Sequence, residues 1–209
     1  MTEFDFFEKG YYVTTRPKDI EKDLWHLVYT TEWVTLQNSS YLQCYCEYGK
    51  VPSWHPEIVN NNPKPYPNKD YYHGSKSPEY MHPLLVDIGN RISHISELST
   101  LTKYKDIKLK YLANWNGSGD LEWHNDFDDG TELIVLCYLT DELEWKDYGG
   151  EIELCKYING DRQYYKKEEP TNGKMIIINN TNPLMLHKVS RMKNRDINRF
   201  LFNFTYSWT

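Results

Sequence analysis

Four cysteines in 209 residues, at positions 44, 46, 137 and 155, are too few and too scattered to staple a small secreted fold, and they read as reduced thiols. Cys44-Tyr45-Cys46 lacks the second Cys/His pair at zinc spacing that half a metal site would need. No apolar run approaches the roughly 20 residues of a membrane-crossing helix, and the mean hydropathy is -0.76. The first eight residues are acidic and lack the basic start and apolar stretch of a secretory signal, so a cytoplasmic protein without a membrane partner is expected. A net charge of -6 argues against a sequence-independent grip on nucleic-acid phosphates, which takes a surplus of Lys and Arg. Without a Gly/Ser linker or an internal repeat, residues 1–209 are expected to form one domain.

Aromatic residues are plentiful: 18 Tyr, 7 Trp and 7 Phe give ample core material. After Pro17, Ile20, Leu24, Leu27 and Val28 fall at helical spacing, which predicts an amphipathic helix in which His26 is an ordinary surface or packed imidazole. A second helix is predicted from His82-Pro83 through Leu84, Ile88, Ile92, Ile95 and Leu98, with His94 structural. The Asn-, Pro- and Tyr-rich stretch between them reads as a long loop within 37–78, either a substrate lid carrying Trp54, Tyr66, Tyr71 and Tyr72 or plain packing.

The clearest alternation begins at Arg199. Phe200, Phe202, Phe204 and Tyr206 occupy one face of a strand, and Arg199, Leu201, Asn203, Thr205 and Ser207 the other. The aromatic face calls for an apolar cover. An arginine on the opposite, interior face calls for an anionic partner, because burying an unpaired guanidinium is costly.

His124-Asn125-Asp126 brings the chemistry. In an extended stretch, positions 124 and 126 project to the same side and can share a metal. The pattern alone is weak, and its context carries it: His187 lies in the apolar strand-like run Leu184-Met185-Leu186-His187-Lys188-Val189. Two imidazoles and a carboxylate can hold a divalent iron on one face and leave the opposite positions open. Asp128 and Asp129 compete with Asp126, and Arg191 and Arg195 with Arg199. The i, i+2 geometry favours Asp126, and the start of the alternating strand favours Arg199.

In this order, Leu109-Lys110-Tyr111, His124/Asp126, the run Leu133 to Leu139, Gly149-Gly150-Glu151-Ile152, Pro170 to Ile178, His187 and Arg199 resemble the Fe(II)/2-oxoglutarate-dependent dioxygenases, most closely the prolyl 4-hydroxylase-like branch. The resemblance covers 108 to 208. It implies a mainly β fold, a double-stranded β-helix (jelly-roll) core at 108–209 braced by helices from 1–107. It also implies Fe(II) on His124, Asp126 and His187, and 2-oxoglutarate as co-substrate with its distal carboxylate on Arg199. O2 is the oxidant, with ascorbate in support. Tyr111 either adds a phenolic hydrogen bond to that carboxylate or simply packs. Thr205, where many relatives carry tryptophan, and Ser190-Arg191, where they carry proline, depart from the pattern and bear on the substrate more than on the metal.

The expected reaction is hydroxylation of a C–H bond, with release of succinate and CO2, on a peptidyl residue such as proline. The same chemistry on a small molecule or nucleobase, and a non-catalytic metal-binding β-helix module, are the alternatives. The basic residues Lys188, Arg191, Lys193 and Arg195 either surround the mouth and attract an acidic substrate or form a solvated hairpin.

Overall fold

The computed structural model describes residues 3–31, 33–35, 50–52, 83–95, 98, 104–114, 121–126, 133–194 and 196–208. In chain order they form α1 (Glu3–Lys9), β1 (Tyr11–Thr15), a 3-10 turn (Lys18–Ile20), α2 (Glu21–Thr30), β2 (Trp33–Thr35), β3 (Lys50–Pro52) and α3 (Pro83–Ser93). Eight strands follow: β4 (Tyr104–Asn114), β5 (Leu121–His124), β6 (Leu133–Leu139), β7 (Ile152–Ile158), β8 (Asp161–Glu168), β9 (Lys174–Asn179), β10 (Met185–Val189) and β11 (Phe200–Trp208).

β6 is apolar at every position because it is covered on both faces. Ile134, Leu136 and Tyr138 face one core, and Leu133, Val135, Cys137 and Leu139 face another. The first core lies between two sheets, one of seven strands in the order β1-β9-β6-β11-β4-β3-β2 and one of four in the order β5-β10-β7-β8. Ile152, Leu154 and Met185 of the small sheet meet Leu136, Ile176 and Leu201 of the large one. Every pairing is antiparallel, and the architecture is the mainly β, jelly-roll core with flanking helices.

The second core explains the alternation of β11. Phe202, Phe204 and Tyr206 pack outward on Phe6 of α1, Leu24 and Leu27 of α2, and Ile88 and Ile92 of α3. The Tyr206 hydroxyl donates to the Gly89 carbonyl at 3.0 Å. Arg91 of α3 bonds Asp23 of α2 and pairs with Asp19 and Asp87, so the two bracing helices are fastened to each other as well as to the sheet.

α3 stops at Ser93, short of the Leu98 that its apolar spacing predicts. The Ser93 hydroxyl donates to the Asn90 carbonyl at 2.6 Å, and His94 Nδ1 meets the same oxygen at 2.7 Å; such local side-chain bonds compete with another helical turn. His26 and His94 are exposed, in keeping with the ordinary roles read for them.

The N-terminal half supplies strands as well as helices. β1 runs along β9 from Tyr11↔Ile178 to Thr15↔Lys174, and β3 joins β4 through Lys50↔Asn114. Trp54, Tyr66, Tyr71 and Tyr72, and Cys44 and Cys46, lie outside the described residues. Burial pushes the Cys137 thiol up to about 12, which keeps it protonated and inert. No described helix is long and apolar enough to cross a membrane.

Candidate metal centre

β5 and β10 pair so that His124 and His187 are direct Cα partners, and their rings lie 4.2 Å apart between centroids at 54°. Alternation along β10 sends Met185, His187 and Val189 into the space between the sheets, while Lys188 turns outward onto the ring of Trp123. His187 is therefore 7% exposed. Asp126, just past the end of β5, brings a carboxylate oxygen 3.8 Å from His124 Nε2. One ligand atom from each of His124, Asp126 and His187 lies within 4.8 Å of the others, a spacing that a single ion can bridge.

Neighbouring groups fix this arrangement. His124 Nδ1 bonds the Glu122 carbonyl at 2.6 Å, which assigns the proton to Nδ1 and leaves the Nε2 lone pair for a metal. Asn180, buried in the turn after β9, donates to the Asp126 carbonyl at 2.7 Å, and Asn125 donates to the Pro183 carbonyl at 2.8 Å. The turn that launches β10 is thereby tied to the segment carrying His124 and Asp126. The bonding asparagines sit 54 and 58 positions from their partners, and no local pattern marks either one in the sequence.

Across the interior, the inner face of β11 presents Leu201, Asn203 and Thr205, with Arg199 just before the strand. Arg199 is 1% exposed. Its Cζ stands 5.1 Å from the centroid of the Tyr138 ring, and its Nη2 donates to the Tyr138 hydroxyl at 3.5 Å. Burial raises the Tyr138 pKa despite the opposing guanidinium, so the phenol stays a hydrogen-bond donor. Asn203 Oδ1 is sealed from solvent with no hydrogen-bond partner among the described residues, an acceptor that a water or ligand donor in the interior would satisfy.

Gly149 and Gly150 make room for this arginine. Their φ values are 81° and 72°, a region that L side chains rarely adopt. A Cβ on Gly150 would stand 2.9 Å from Arg199 Cδ and 2.5 Å from Met192 Sδ, so the close backbone approach that the glycine pair permits is used to seat Arg199. Gly150→Ala is expected to cost about 1–3 kcal/mol of stability through the strained φ alone. Urea unfolding measures this; an unchanged midpoint would show that the loop relaxes freely.

The other sequence candidates are distributed as follows. Tyr111 lies in β4 in register with Asn203, and its side chain is outside the described residues, as are Asp128, Asp129 and Arg195. Two residues of the basic patch are engaged by neighbouring carboxylates. Lys188 faces outward and pairs with Glu153 at 3.0 Å, and Lys193 pairs with Asp147 at 2.6 Å. Ser190, at one departure from the family pattern, donates to the buried Glu151 carboxylate and accepts from the Glu151 amide at 3.1 Å. Burial pushes the Glu151 pKa up, but hydrogen bonds from Ser190, its own backbone and Lys167 outweigh it, so the net shift is downward.

The model of the 2OG-Fe(II) oxygenase superfamily matches residues 109–207. No curated protein matches the chain. Among solved structures the chain is similar to a prolyl hydroxylase from Trichoplax adhaerens, solved in complex with a hypoxia inducible factor oxygen degradation domain peptide fragment. Identity there is 14% and the TM-score 0.56, over 98% of this chain and 86% of that one. It is also similar to a Pseudomonas putida prolyl-4-hydroxylase, at 12% identity and TM-score 0.50 over 99% and 92% of the two chains. A third similar structure is the non-heme alpha ketoglutarate dependent epimerase SnoN from nogalamycin biosynthesis, at 10% identity and TM-score 0.50 over 96% and 78%.

Through residues 109–207 the chain thus matches the 2OG-Fe(II) oxygenase superfamily, and its fold is the one shared with these prolyl hydroxylases. It is a 2-oxoglutarate-dependent dioxygenase, a class that requires Fe(II), 2-oxoglutarate and O2. The donor set fits the first of these: two imidazoles and one carboxylate on one side of an interior suit a non-haem ferrous ion with open positions.

Proposed function

We propose that this protein hydroxylates a C–H bond of a peptidyl residue, proline being the first candidate, at a ferrous ion held by His124, Asp126 and His187. One observation carries the reading: the three ligand atoms converge within 4.8 Å on the inner face of the small sheet, and a buried arginine lies on the inner face of the large one. When bound, iron and 2-oxoglutarate supply the oxidising chemistry, with succinate and CO2 as products.

The chain's own residues supply placement. Arg199 anchors the distal carboxylate of 2-oxoglutarate, which can accept two parallel bonds from a guanidinium fork. Tyr138, the phenol that touches Arg199, shares that carboxylate; Tyr111 is the other candidate for this contact. The apolar wall of Leu136, Ile176 and Leu201 excludes water and strengthens these charge-assisted bonds.

The peptide assignment is supported by the likeness to a prolyl hydroxylase solved with a peptide. The likeness to SnoN supports a second reading, the same chemistry on a small molecule. Incubation with Fe(II), 2-oxoglutarate and ascorbate is expected to yield succinate. Incubation with a cell lysate is expected to add one oxygen to proline-containing peptides. Oxygen gained only by small metabolites would favour the second reading, and a metal-bound protein forming no succinate would leave a binding module.

A further inference from the structure

Among the described residues, β5 presents His124 from a short ladder. It is an edge strand of four residues, and its pairing with β10 consists of His187↔His124 and Val189↔Leu121 with an irregularity between them. On the outer face, directly behind His124, Trp123 is held by two cations. Arg162 Cζ stands 4.6 Å from the centre of its ring, and Lys188 Nζ stands 5.4 Å away.

The two cations come from different strands. Lys188 belongs to the neighbouring β10, whereas Arg162 belongs to β8, the opposite edge of the sheet, with β7 and β10 intervening. At a strand spacing of about 4.8 Å, the two edges are roughly 14 Å apart. The Arg162–Trp123 contact is thus a strap drawn across the back of the sheet from one edge to the other. Glu153 steadies its middle, bonding Lys188 at 3.0 Å and accepting from the Tyr165 hydroxyl at 2.6 Å.

We propose that Trp123 is a positioning residue for the metal centre and that Arg162 is its clamp. By pressing β5 onto β10 from outside, the pair keeps His124 Nε2 within reach of the ion shared with Asp126 and His187. The inference rests on the iron site proposed above. Cation–π attraction suits the task because it is directional and survives at a partly exposed surface, where an ordinary ion pair contributes little.

Mn(II), titrated into the full chain and followed by the loss of its free EPR signal, reports binding without turnover. Wild type is expected to bind and His187→Ala to fail, which tests the site itself. Trp123→Ala is expected to bind about tenfold more weakly, the scale of a lost outer contact to a metal ligand. Trp123→Phe, which keeps a ring face, is expected to recover most of the loss.

Arg162→Met removes an exposed charge and leaves the core untouched. It is expected to weaken Mn(II) binding several-fold, with the melting temperature of the metal-free protein unchanged. It therefore decides the matter even if Trp123→Ala does not fold. Wild-type Mn(II) affinity in Arg162→Met would overturn the clamp while the site stands. Absence of binding by wild type would overturn the site and the clamp together.

Discussion

Asp126→Ala is expected to lower ferrous-iron affinity by well over a hundredfold, and to abolish succinate formation at micromolar iron, without unfolding the protein. Disturbing a group that merely orients a metal ligand already costs about 10–100-fold in affinity, so removing the carboxylate of the proposed ligand set should cost more. In the proposed site Asp126 would also neutralise part of the dication's charge, which two imidazoles alone would leave uncompensated. The fold should tolerate the change because Asp126 lies past the end of β5, outside both apolar cores, and the bond from Asn180 is to its backbone carbonyl, which alanine keeps. Isothermal titration with Mn(II), alongside the circular-dichroism melt, checks both halves. Near-wild-type affinity would assign the anionic ligand elsewhere, and Asp128→Ala and Asp129→Ala would then be the variants to measure.

Arg199→Ala is expected to weaken 2-oxoglutarate binding by about 10²–10⁴-fold while leaving Mn(II) affinity nearly intact. Two hydrogen bonds to a carboxylate at about 1.5–3 kcal/mol each give that range. Arg199→Lys should recover only part of it, since an ammonium offers a point charge in place of the planar fork. The alanine variant also empties a fully buried site against Tyr138 and Gly150, so some stability will be lost. The lysine variant, which fills most of that volume, separates the two effects. The anaerobic charge-transfer absorption of the Fe(II)–2-oxoglutarate complex, titrated against co-substrate, reads the affinity directly. A loss as large in Arg195→Ala would transfer the anchor to Arg195.

Both variants target residues that the sequence already exposes, for identifiable physical reasons. A strand sends alternate side chains to opposite faces, so the His124/Asp126 spacing and the face that runs from Arg199 through Asn203 and Thr205, opposite the aromatics of β11, are visible without coordinates. Ile20, Leu24 and Leu27 announce α2 by the same logic at a period of 3.6, and all three are fully buried beneath the large sheet. Lys188, which the sequence leaves open between the mouth and a solvated hairpin, turns outward because it neighbours an inward-facing histidine on the same strand.

Other features depend on partners distant in sequence. Tyr138 is one more member of an apolar run until Arg199, 61 positions away, lands on its hydroxyl. Asn180 is an ordinary turn residue until it reaches the Asp126 carbonyl. Trp123 gives no sign that Arg162 will cover it from the far edge of the sheet. The strands β1 to β3 escape a periodicity reading because they are three to five residues long, too short to show a period, and are recruited by the edges they pair with.

The convergence of His124, Asp126 and His187 on one ion is tested most directly by anaerobic crystals of the 209-residue chain soaked in Fe(II), with X-ray data collected on either side of the iron absorption edge. The expected result is a single anomalous peak within bonding distance of both imidazoles and the Asp126 carboxylate, on the side facing Arg199. A peak held by other side chains, or no peak in crystals soaked at saturating iron, would contradict it.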